Sequence, residues 1–367
     1  MKDFTLRIIA GANIAVIIAM LAVGYVDYLN PVDYPLLANL GLLFPVFLVA
    51  NIAFLAFWLI VKKLWAAIPF IGLVVAFGPV RRYSPLNIPA DAPEGAIKVM
   101  SYNVFSFSTW TDLNQSSDIL EYITNQQPDI LCLQEAGTYG RKHEIIDSTL
   151  QASLAYRDTI NTGSLAIYSR FPIVGKESIA YRSNTSNASA AFYLKTGKND
   201  TTIVIVNHFE STGISLEQRS QFKAMLKGKL EKDSAEIESR ALWRSLAASA
   251  AVRAPQADAV AEYIARHPGK SIILTGDFND SPLSYIHRRI ANELTDCYVA
   301  TANGPGISYH YSGFYVRIDN IMCSNAWTPY KCYVDNSIKA SDHYPIICWL
   351  ERNKEKNWEN ILKTPKS

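Results

Sequence analysis

The chain has 367 residues, more than one compact domain usually needs, and 49% of them are hydrophobic. Its formal net charge of +2 argues against a protein that works by nonspecific contacts to many phosphates, because such proteins carry a clearly basic domain. The five cysteines show no C-x-x-C pair and no zinc-type spacing with histidine. Cys132 and Cys348 lie in apolar runs typical of a core, and a bridge between Cys323 and Cys332 stays open.

Three uncharged runs open the chain, at about 8–26, 36–61 and 64–80. A membrane-spanning helix needs roughly 20 apolar residues, with about 17 as the lower limit. The second run contains Pro45, which neighbouring helices accommodate, and the short third run contains Pro69, which leaves a re-entrant segment open. We therefore predict an N-terminal transmembrane region of two to three helices at residues 1–82, in contact with the lipid bilayer.

The charges in the short loops predict how these helices are oriented. Basic residues precede the first run and follow the second, at Lys62 and Lys63, whereas the intervening loop has two aspartates and no Lys or Arg. By the positive-inside rule, the Lys62–Lys63 turn is cytoplasmic. A third crossing then places the rest of the chain outside, although Arg81 and Arg82 count against this. The expectation is a bacterial-type inner-membrane protein whose soluble region is extracytoplasmic.

A proline-rich linker at 83–95 leads into a region with an α/β pattern at 96–352, and a tail follows at 353–367. Strands are predicted at "IKVMSY", "DILCLQE", "LAIYS", "TTIVIVNH", "SIILTGD", "YVRIDNIM" and "PIICWL". Several lack alternation, as expected of strands that are covered on both faces. Helices are predicted at "SSDILEYITNQQ", within 215–251, and in "PQADAVAEYIARHPG", where Pro255 is the expected start.

Most of these strands end in residues that bind metals or transfer protons. They are Asn103, Glu135, Asn207, His208, Asp277, Asn279, Asp319, Asp342 and His343. One such residue is usually a solvated loop start, but a series of them in one domain indicates a site. Carboxylates with amide oxygens suit a hard cation such as Mg²⁺ or Mn²⁺, and the histidines suit proton transfer. Asp277 and Asn279, two residues apart, point to the same side of an extended chain.

In this order, the motifs "SYNV", "LQE", "NH", "GDFN", "RIDNI" and "SDHYP" resemble the endonuclease/exonuclease/phosphatase superfamily of DNase I-like metal phosphoesterases. The resemblance covers about 98–350. It implies a four-layer α/β sandwich, in which two packed mixed β-sheets are flanked by helices and the site lies at one end. The strand pattern alone would also have permitted a doubly wound sheet.

The resemblance implies how a metal ion and a water molecule would be held. Glu135 would be the principal ligand of Mg²⁺ or Mn²⁺, with Asn103 and Asp342 beside it. Asp277 would orient or deprotonate the attacking water. Asn279 would hold that water or a phosphate oxygen.

The resemblance also implies roles for two histidines. His343 would bind or protonate the phosphate, oriented by Asp319 through a ring nitrogen, and His208 would contact the phosphate and help the leaving group. One departure is Asn320 in "RIDNI", where the family often has an aromatic residue, and this puts the local packing in doubt. Weaker candidates for lining the phosphate pocket or for another functional role are Tyr168, Arg317 and His310.

The predicted function is therefore a membrane-anchored, divalent-metal-dependent phosphodiesterase whose substrate is a nucleic acid or a phospholipid headgroup. The alternative is a catalytically inactive, membrane-tethered scaffold of the same fold. A transporter is disfavoured, because the apolar runs carry no Asp, Glu, Lys or Arg that would mark an ion path. The sequence indicates no protein partner.

Overall fold

A computed structural model of the chain describes residues 2–161, 163–183, 185, 187–198, 200–227, 232–311 and 313–353. The predicted tail therefore lies outside the described residues, apart from its first residue, Asn353.

The first eighty residues form apolar helices. These are α1 (Lys2–Gly24), α2 (Pro35–Ala38), α3 (Phe44–Val61), α4 (Ala67–Val75) and α5 (Phe77–Tyr83), with 3₁₀ turns at Val26–Tyr28, Asn39–Leu43 and Lys63–Ala66. Two continuous segments, Asp3–Tyr28 and Pro35–Val61, are long and apolar enough to cross a membrane. The segment from Lys63 to Tyr83 adds a third candidate only if its two parts, bent by 67°, count as one span. By length and composition, the structure has the two to three helices expected.

The rest of the described chain alternates strands and helices. The strands are β1 (Ile97–Asn103), β2 (Ile130–Gln134), β3 (Tyr156–Ile160), β4 (Leu165–Ser169), β5 (Ile173–Ile179), β6 (Ala188–Leu194), β7 (Thr202–His208), β8 (Ser271–Asp277), β9 (Thr295–Asp296), β10 (Asp319–Cys323), β11 (Trp327–Val334) and β12 (Ile346–Arg352). The helices are α6 (Asp118–Gln126), α7 (Gly140–Gln151), α8 (Leu216–Leu226), α9 (Lys232–Ala265), α10 (Tyr285–Ala291) and α11 (Cys297–Thr301), with a 3₁₀ turn at Phe105–Phe107.

The strands form two six-stranded mixed sheets, ordered β11-β12-β1-β2-β4-β3 and β5-β6-β7-β8-β10-β9. The inner faces pack on each other through apolar side chains such as Val99 and Val204, which are fully buried. The outer face of the first sheet packs on α6 and α7, and that of the second packs on α9 and α10. Because both faces of the inner strands are covered, those strands lack an exposed polar face, and the four-layer sandwich expected from the resemblance is confirmed.

All seven strands predicted from the sequence are present. Of the five that the sequence did not indicate, β3, β5, β9 and β11 are edge strands, where half-exposed polar residues weaken the apolar pattern. The helix predicted to begin at Pro255 is wrong: α9 runs through Pro255 without a break. A proline inside a helix costs about 3 kcal/mol, and packing of the buried Ala254 and Ala257 beside it contributes to offsetting that cost. The five cysteines are buried and free, so Cys323 and Cys332 form no bridge.

One end of the apolar helices packs against the α/β region. Asp27 follows α1 and forms ion pairs with Arg82 of α5 (3.1 Å) and Arg288 of α10 (3.7 Å). A β-carbon at Gly41 would lie only 2.6 Å from the carbonyl oxygen of Leu283, so the backbones approach closely there. The end of α1, the segment before α3 and the end of α5 therefore share one side, and the basic turn after α3 lies at the opposite end of that helix.

Gly276 is the position where strand pairing depends most directly on the absence of a side chain. Its φ is +135°, and a β-carbon there would lie 2.0 Å from the carbonyl oxygen of Asn207 on the neighbouring strand β7. Any larger residue would therefore displace β7 from β8.

We expect Gly276→Ala to lower the free energy of unfolding by about 3 kcal/mol or more, because backbone strain adds to a steric clash. Gly269→Ala is the matched control, since Gly269 also has a positive φ (+71°) but open space around its β-carbon position. Gly269→Ala should lower the free energy of unfolding by about 1 kcal/mol. Chemical denaturation of the full chain in detergent measures both, and equal losses would contradict the account.

Candidate active site

The pairing of the strands brings the predicted polar residues together at one end of the two sheets, where the strands that carry them end or begin. β1 and β2 run parallel, so Asn103 and Glu135 emerge side by side at their carboxyl ends. β7 and β8 are also parallel, with His208 paired to Asp277. β10 runs antiparallel to β8, which sets Asp319, its first residue, directly opposite Asp277. The register of these strands therefore brings together residues that are far apart in the sequence.

His343 is held as a buried cation between two aspartates. Its Nδ1 lies 2.8 Å from Asp319 Oδ2, and its Nε2 lies 3.6 Å from Asp277 Oδ2. Burial alone would lower the pKa of His343, but the charges of Asp319 and Asp277 outweigh it and raise the pKa to about 10. The imidazolium form therefore persists at neutral pH, and its Nε2 side faces the site. Ser308 Oγ accepts the backbone N–H of Asp319, which fixes that end.

Asn103 connects the carboxylates of the two sheets. Its Nδ2 donates to Glu135 Oε1 (3.1 Å) and to Asp277 Oδ2 (3.2 Å). Glu135 has a φ of +50°, a strained value for a residue with a side chain, and strain of this kind concentrates at functional sites. Burial raises the pKa of both carboxyl groups, so each gains from a partner that stabilises its charge.

His208 is the neutral counterpart of His343. Its Nε2 lies 3.7 Å from both Glu135 Oε1 and Asp277 Oδ2, too far for a hydrogen bond, and that buried atom has no hydrogen-bond partner. Burial, followed by repulsion from His343, lowers the pKa of His208 to about 3. A neutral imidazole that points an unsatisfied nitrogen into the site can accept or donate one hydrogen bond to a ligand.

Asn279 turns back onto the aspartate that precedes it. Its backbone N–H donates to Asp277 Oδ1 (2.7 Å), and its Nδ2 donates to Asp277 Oδ2 (3.3 Å) and to the Phe209 carbonyl (3.0 Å). Asp280 points away and forms a buried ion pair with Arg253 (3.0 Å). The two acids of the "GDFND" stretch thus separate: one lies in the site and the other anchors the loop to α9.

The residues present suit a divalent cation. Four carboxylates, of Glu135, Asp277, Asp319 and Asp342, border the site, and His343 is the cation set among them. One Asp319 oxygen is buried without a partner. Oxygen donors in this number are typical of Mg²⁺ or Mn²⁺ sites. Atoms of Asp277, Asp319 and His343 also lie within 4.8 Å of one another, but the hydrogen bond between His343 Nδ1 and Asp319 Oδ2 (2.8 Å) already occupies one donor atom of each, which favours the Glu135 side.

A cleft of about 270 Å³ opens over these groups, and we call it the site cleft. Its lining comprises Asn39, Leu42, Phe105, Glu135, Ser211, Thr212, Ile214, Arg219, Leu246, Asp277, Asn279, Asp280, Ser281, Tyr309, Tyr311, Phe314, Val316, Ile318, Asp342 and His343. Sequence reasoning missed Arg219, which lies in α8 and hydrogen-bonds Tyr309 Oη. Nothing in the sequence distinguishes Arg219 from the other charged residues of α8, Glu217 and Lys223. Tyr309, also missed, packs edge-on against His343, with ring centroids 5.0 Å apart.

Three weaker candidates lie outside this cluster. Tyr168 is buried in a separate cavity and donates to Asp147 Oδ1 (2.5 Å). Arg317 is buried against Tyr298 and donates to backbone carbonyls of Pro305 and Arg82, so it joins the α/β region to the end of α5. His310 stacks on Tyr344 at 3.8 Å and does not line the site cleft. None of the three is positioned to contact a phosphate in that cleft.

Comparison with known proteins gives matches to both parts of the chain. A sequence model of the Endonuclease/Exonuclease/phosphatase family matches residues 100–343, and one of a domain of unknown function matches residues 6–83. No curated protein matches.

Several solved structures resemble the α/β region. Truncated Caenorhabditis elegans TDP2 has a TM-score of 0.47 at 19% identity, covering 71% of this chain and 99% of that one. Sphingomyelinase C from Streptomyces griseocarneus has a TM-score of 0.49 at 17% identity, covering 70% of this chain and 99% of that one. The human nocturnin catalytic domain with bound sulfate has a TM-score of 0.49 at 17% identity, covering 72% of this chain and 96% of that one.

Proposed function

Because the chain belongs to the endonuclease/exonuclease/phosphatase family, we propose that it is a membrane-anchored, divalent-metal-dependent hydrolase of phosphodiesters. The observation that carries the proposal is the meeting of an Asp319–His343 pair, a neutral His208 and the carboxylates of Asp277 and Glu135 at one end of the sandwich. Fold alone does not determine chemistry, but this set supports the proposal because it offers oxygen ligands for a cation, a base for water and a donor for a phosphate oxygen.

Glu135 would hold the cation, with Asn103 and Asp342 beside it. A bound divalent ion supplies charge that polarises a phosphoryl oxygen. Asn103 already contacts Glu135 and Asp277, so its amide sets the spacing between the ion's principal ligand and the acid that faces the water. The raised pKa of Glu135 fits a carboxylate that awaits a positive partner.

Asp277 would orient the attacking water and take its proton. Its burial raises its pKa, which makes it a better base than an exposed aspartate. Asn279 and Asn103 donate to its two oxygens and fix their direction. Asn279 would in this way act mainly on Asp277, while its position in the site cleft also lets it meet a phosphate oxygen.

The two histidines would contact different oxygens of the phosphate, one as a cation and the other as a neutral side chain. His343, held cationic by Asp319, would donate a charge-assisted hydrogen bond to an oxygen whose negative charge grows in the transition state. His208, neutral and unsatisfied at Nε2, would contact a second phosphate oxygen near the leaving group. The alternative of an inactive scaffold is disfavoured because every one of these positions keeps its chemistry.

We expect the purified full chain to hydrolyse bis(4-nitrophenyl) phosphate only with Mg²⁺ or Mn²⁺ and to lose activity with a chelator. Asp277→Asn and His343→Ala should each lower kcat by a factor of roughly 100 or more, as expected for loss of a positioned proton-transfer or charge-stabilising group. His143→Ala, on the outer helix α7, is the matched control and should stay within about twofold. No turnover of any phosphodiester would favour the scaffold, whereas turnover that survives both site substitutions would contradict the roles given to Asp277 and His343.

We also propose that the α/β region lies outside the cytoplasm. Arg81 and Arg82 argued against this from sequence, but Arg82 pairs with Asp27, and Arg81 donates to Asn87 and to the Val299 carbonyl. Their charges have partners within the fold, which leaves the Lys62–Lys63 turn as the stronger orienting signal.

Cysteine labelling in intact cells tests this orientation. Lys63→Cys marks the basic turn, and Tyr139→Cys marks the α/β region, where Tyr139 is 81% exposed. A membrane-impermeant maleimide should label Tyr139→Cys directly and Lys63→Cys only after permeabilisation. The native cysteines are buried and provide a low background. The reverse pattern would place the region in the cytoplasm.

A further inference from the structure

The second candidate span forms part of the wall of the site cleft. Asn39 and Leu42, which line it, belong to the apolar segment Pro35–Val61. They lie in the first turns of that segment, and the end of a span is at the depth of the lipid headgroups. The groups proposed to act on phosphorus therefore open onto the same level of the bilayer at which lipid phosphates lie.

The lining of the cleft changes from polar to apolar toward the helices. Glu135, Asp277 and His343 lie at the strand ends. Leu42, Ile214 and Leu246 form the opposite wall, on the side of the N-terminal apolar helices and of α9. A polar end joined to an apolar wall matches an amphiphile with a charged head and hydrocarbon chains.

The rim of the cleft is apolar and exposed as well. Phe105 and Tyr311, both lining residues, remain 46% and 45% exposed, and Leu36 beside the cleft segment is 53% exposed. Aromatic residues at the mouth with an exposed leucine beside them are typical of a surface at the membrane interface. Trp243 of α9 donates to the Leu36 carbonyl (2.9 Å) and ties this rim to the α/β region.

The charges of the cleft suit a single phosphate group better than the successive phosphates of a polynucleotide. Among its described lining residues, Arg219 is the one Lys or Arg, and it forms no ion pair with the described residues. It is held by Tyr309 and by the Ile214 carbonyl (3.3 Å). A groove for a polynucleotide tracks successive phosphates with several basic side chains, and such a series is missing from this lining.

We propose that the substrate is a phospholipid of the bilayer in which the chain's own helices lie, an inference that rests on the proposed function. The lipid phosphodiester lies between Glu135 and Arg219, and its acyl chains pass over Leu42 into the hydrocarbon. The oxygen of a water molecule bonds to phosphorus, one P–O ester bond breaks, and the departing alkoxide takes a proton. The products are an alcohol and a phosphomonoester.

Hydrolysis by the full chain in vesicles of phosphatidylethanolamine and phosphatidylglycerol tests the proposal. ³¹P NMR detects the phosphomonoester, and bis(4-nitrophenyl) phosphate and a single-stranded oligonucleotide are offered in parallel. We expect the lipid phosphodiester to be cleaved with Mg²⁺ or Mn²⁺ and the oligonucleotide at least about tenfold more slowly.

Two adjacent leucines give a matched pair of variants. Leu42→Asn places a polar amide in the cleft wall and should raise KM for lipid about tenfold while leaving the small diester within about twofold. Leu43→Asn, outside the cleft lining, should change neither rate by more than about twofold. The small diester also reports whether each variant is folded.

The outcomes separate this inference from the proposed function. If the small diester and the oligonucleotide are cleaved but lipid is not, the lipid proposal is overturned and the phosphodiesterase stands. Equal losses on lipid and small diester in Leu42→Asn would also overturn it, because the wall would then act on folding rather than on acyl chains. Failure to cleave any of the three substrates would overturn both proposals together.

Discussion

The site depends on holding several carboxylates close together in a largely buried place. Asp277 and Asp319 are almost fully buried and face each other across β8 and β10, an arrangement that would be unstable without compensation. The His343 imidazolium supplies one positive charge, and Asn103 and Asn279 donate hydrogen bonds to Asp277. Among the described residues, these partners leave Glu135 and Asp342 without a Lys or Arg partner. The proposed divalent ion would supply the missing positive charge, and the negative charge of the site would then prepare it for metal binding.

The backbone around these groups follows from the same constraint. Gly276 lets β7 approach β8 closely enough to set His208 beside Asp277, and positive φ values at Glu135 and Asn279 turn both residues toward the cleft. Conformations of this kind cost free energy and persist where the surrounding structure requires them. Here the packed sheets supply that requirement, because the strands that carry the site residues are central and covered on both faces.

The sequence predicted seven of the eight inner strands of the described chain and the polar residues at their ends, since buried strands leave long apolar runs and the "GDFN" and "SDH" motifs fall beside them; it missed the inner strand β6, "ASAAFYL", whose small residues give a weaker apolar pattern. It did not reveal the edge strands, whose exposed side chains dilute the apolar pattern, or the continuity of α9 through Pro255, which tertiary packing decides. Arg219 could not be predicted, because no motif distinguishes it from Glu217 and Lys223 of the same helix, and only the fold shows that Arg219 faces the cleft. Tyr168 had the right chemistry for a phosphate pocket, but strand direction sends it into another cavity.

The arrangement of the apolar helices links anchoring to chemistry. Asp27, Arg82 and Arg288 hold one end of the helices against the α/β region, and Leu42 reaches the cleft from there. An anchor attached only through a flexible linker would not place a span residue in the site. If the chain is anchored and cleaves lipid as proposed, this contact would give the helices a part in substrate selection as well as in location.

The carboxylates of the site are proposed to bind a divalent ion on the side of Glu135. A crystal structure with Mn²⁺, in which anomalous scattering locates the ion, tests this binding. We expect an anomalous peak in contact with the Glu135 carboxylate that disappears in Glu135→Gln. A peak enclosed by Asp277, Asp319 and His343 instead, or no peak at saturating Mn²⁺, would contradict it.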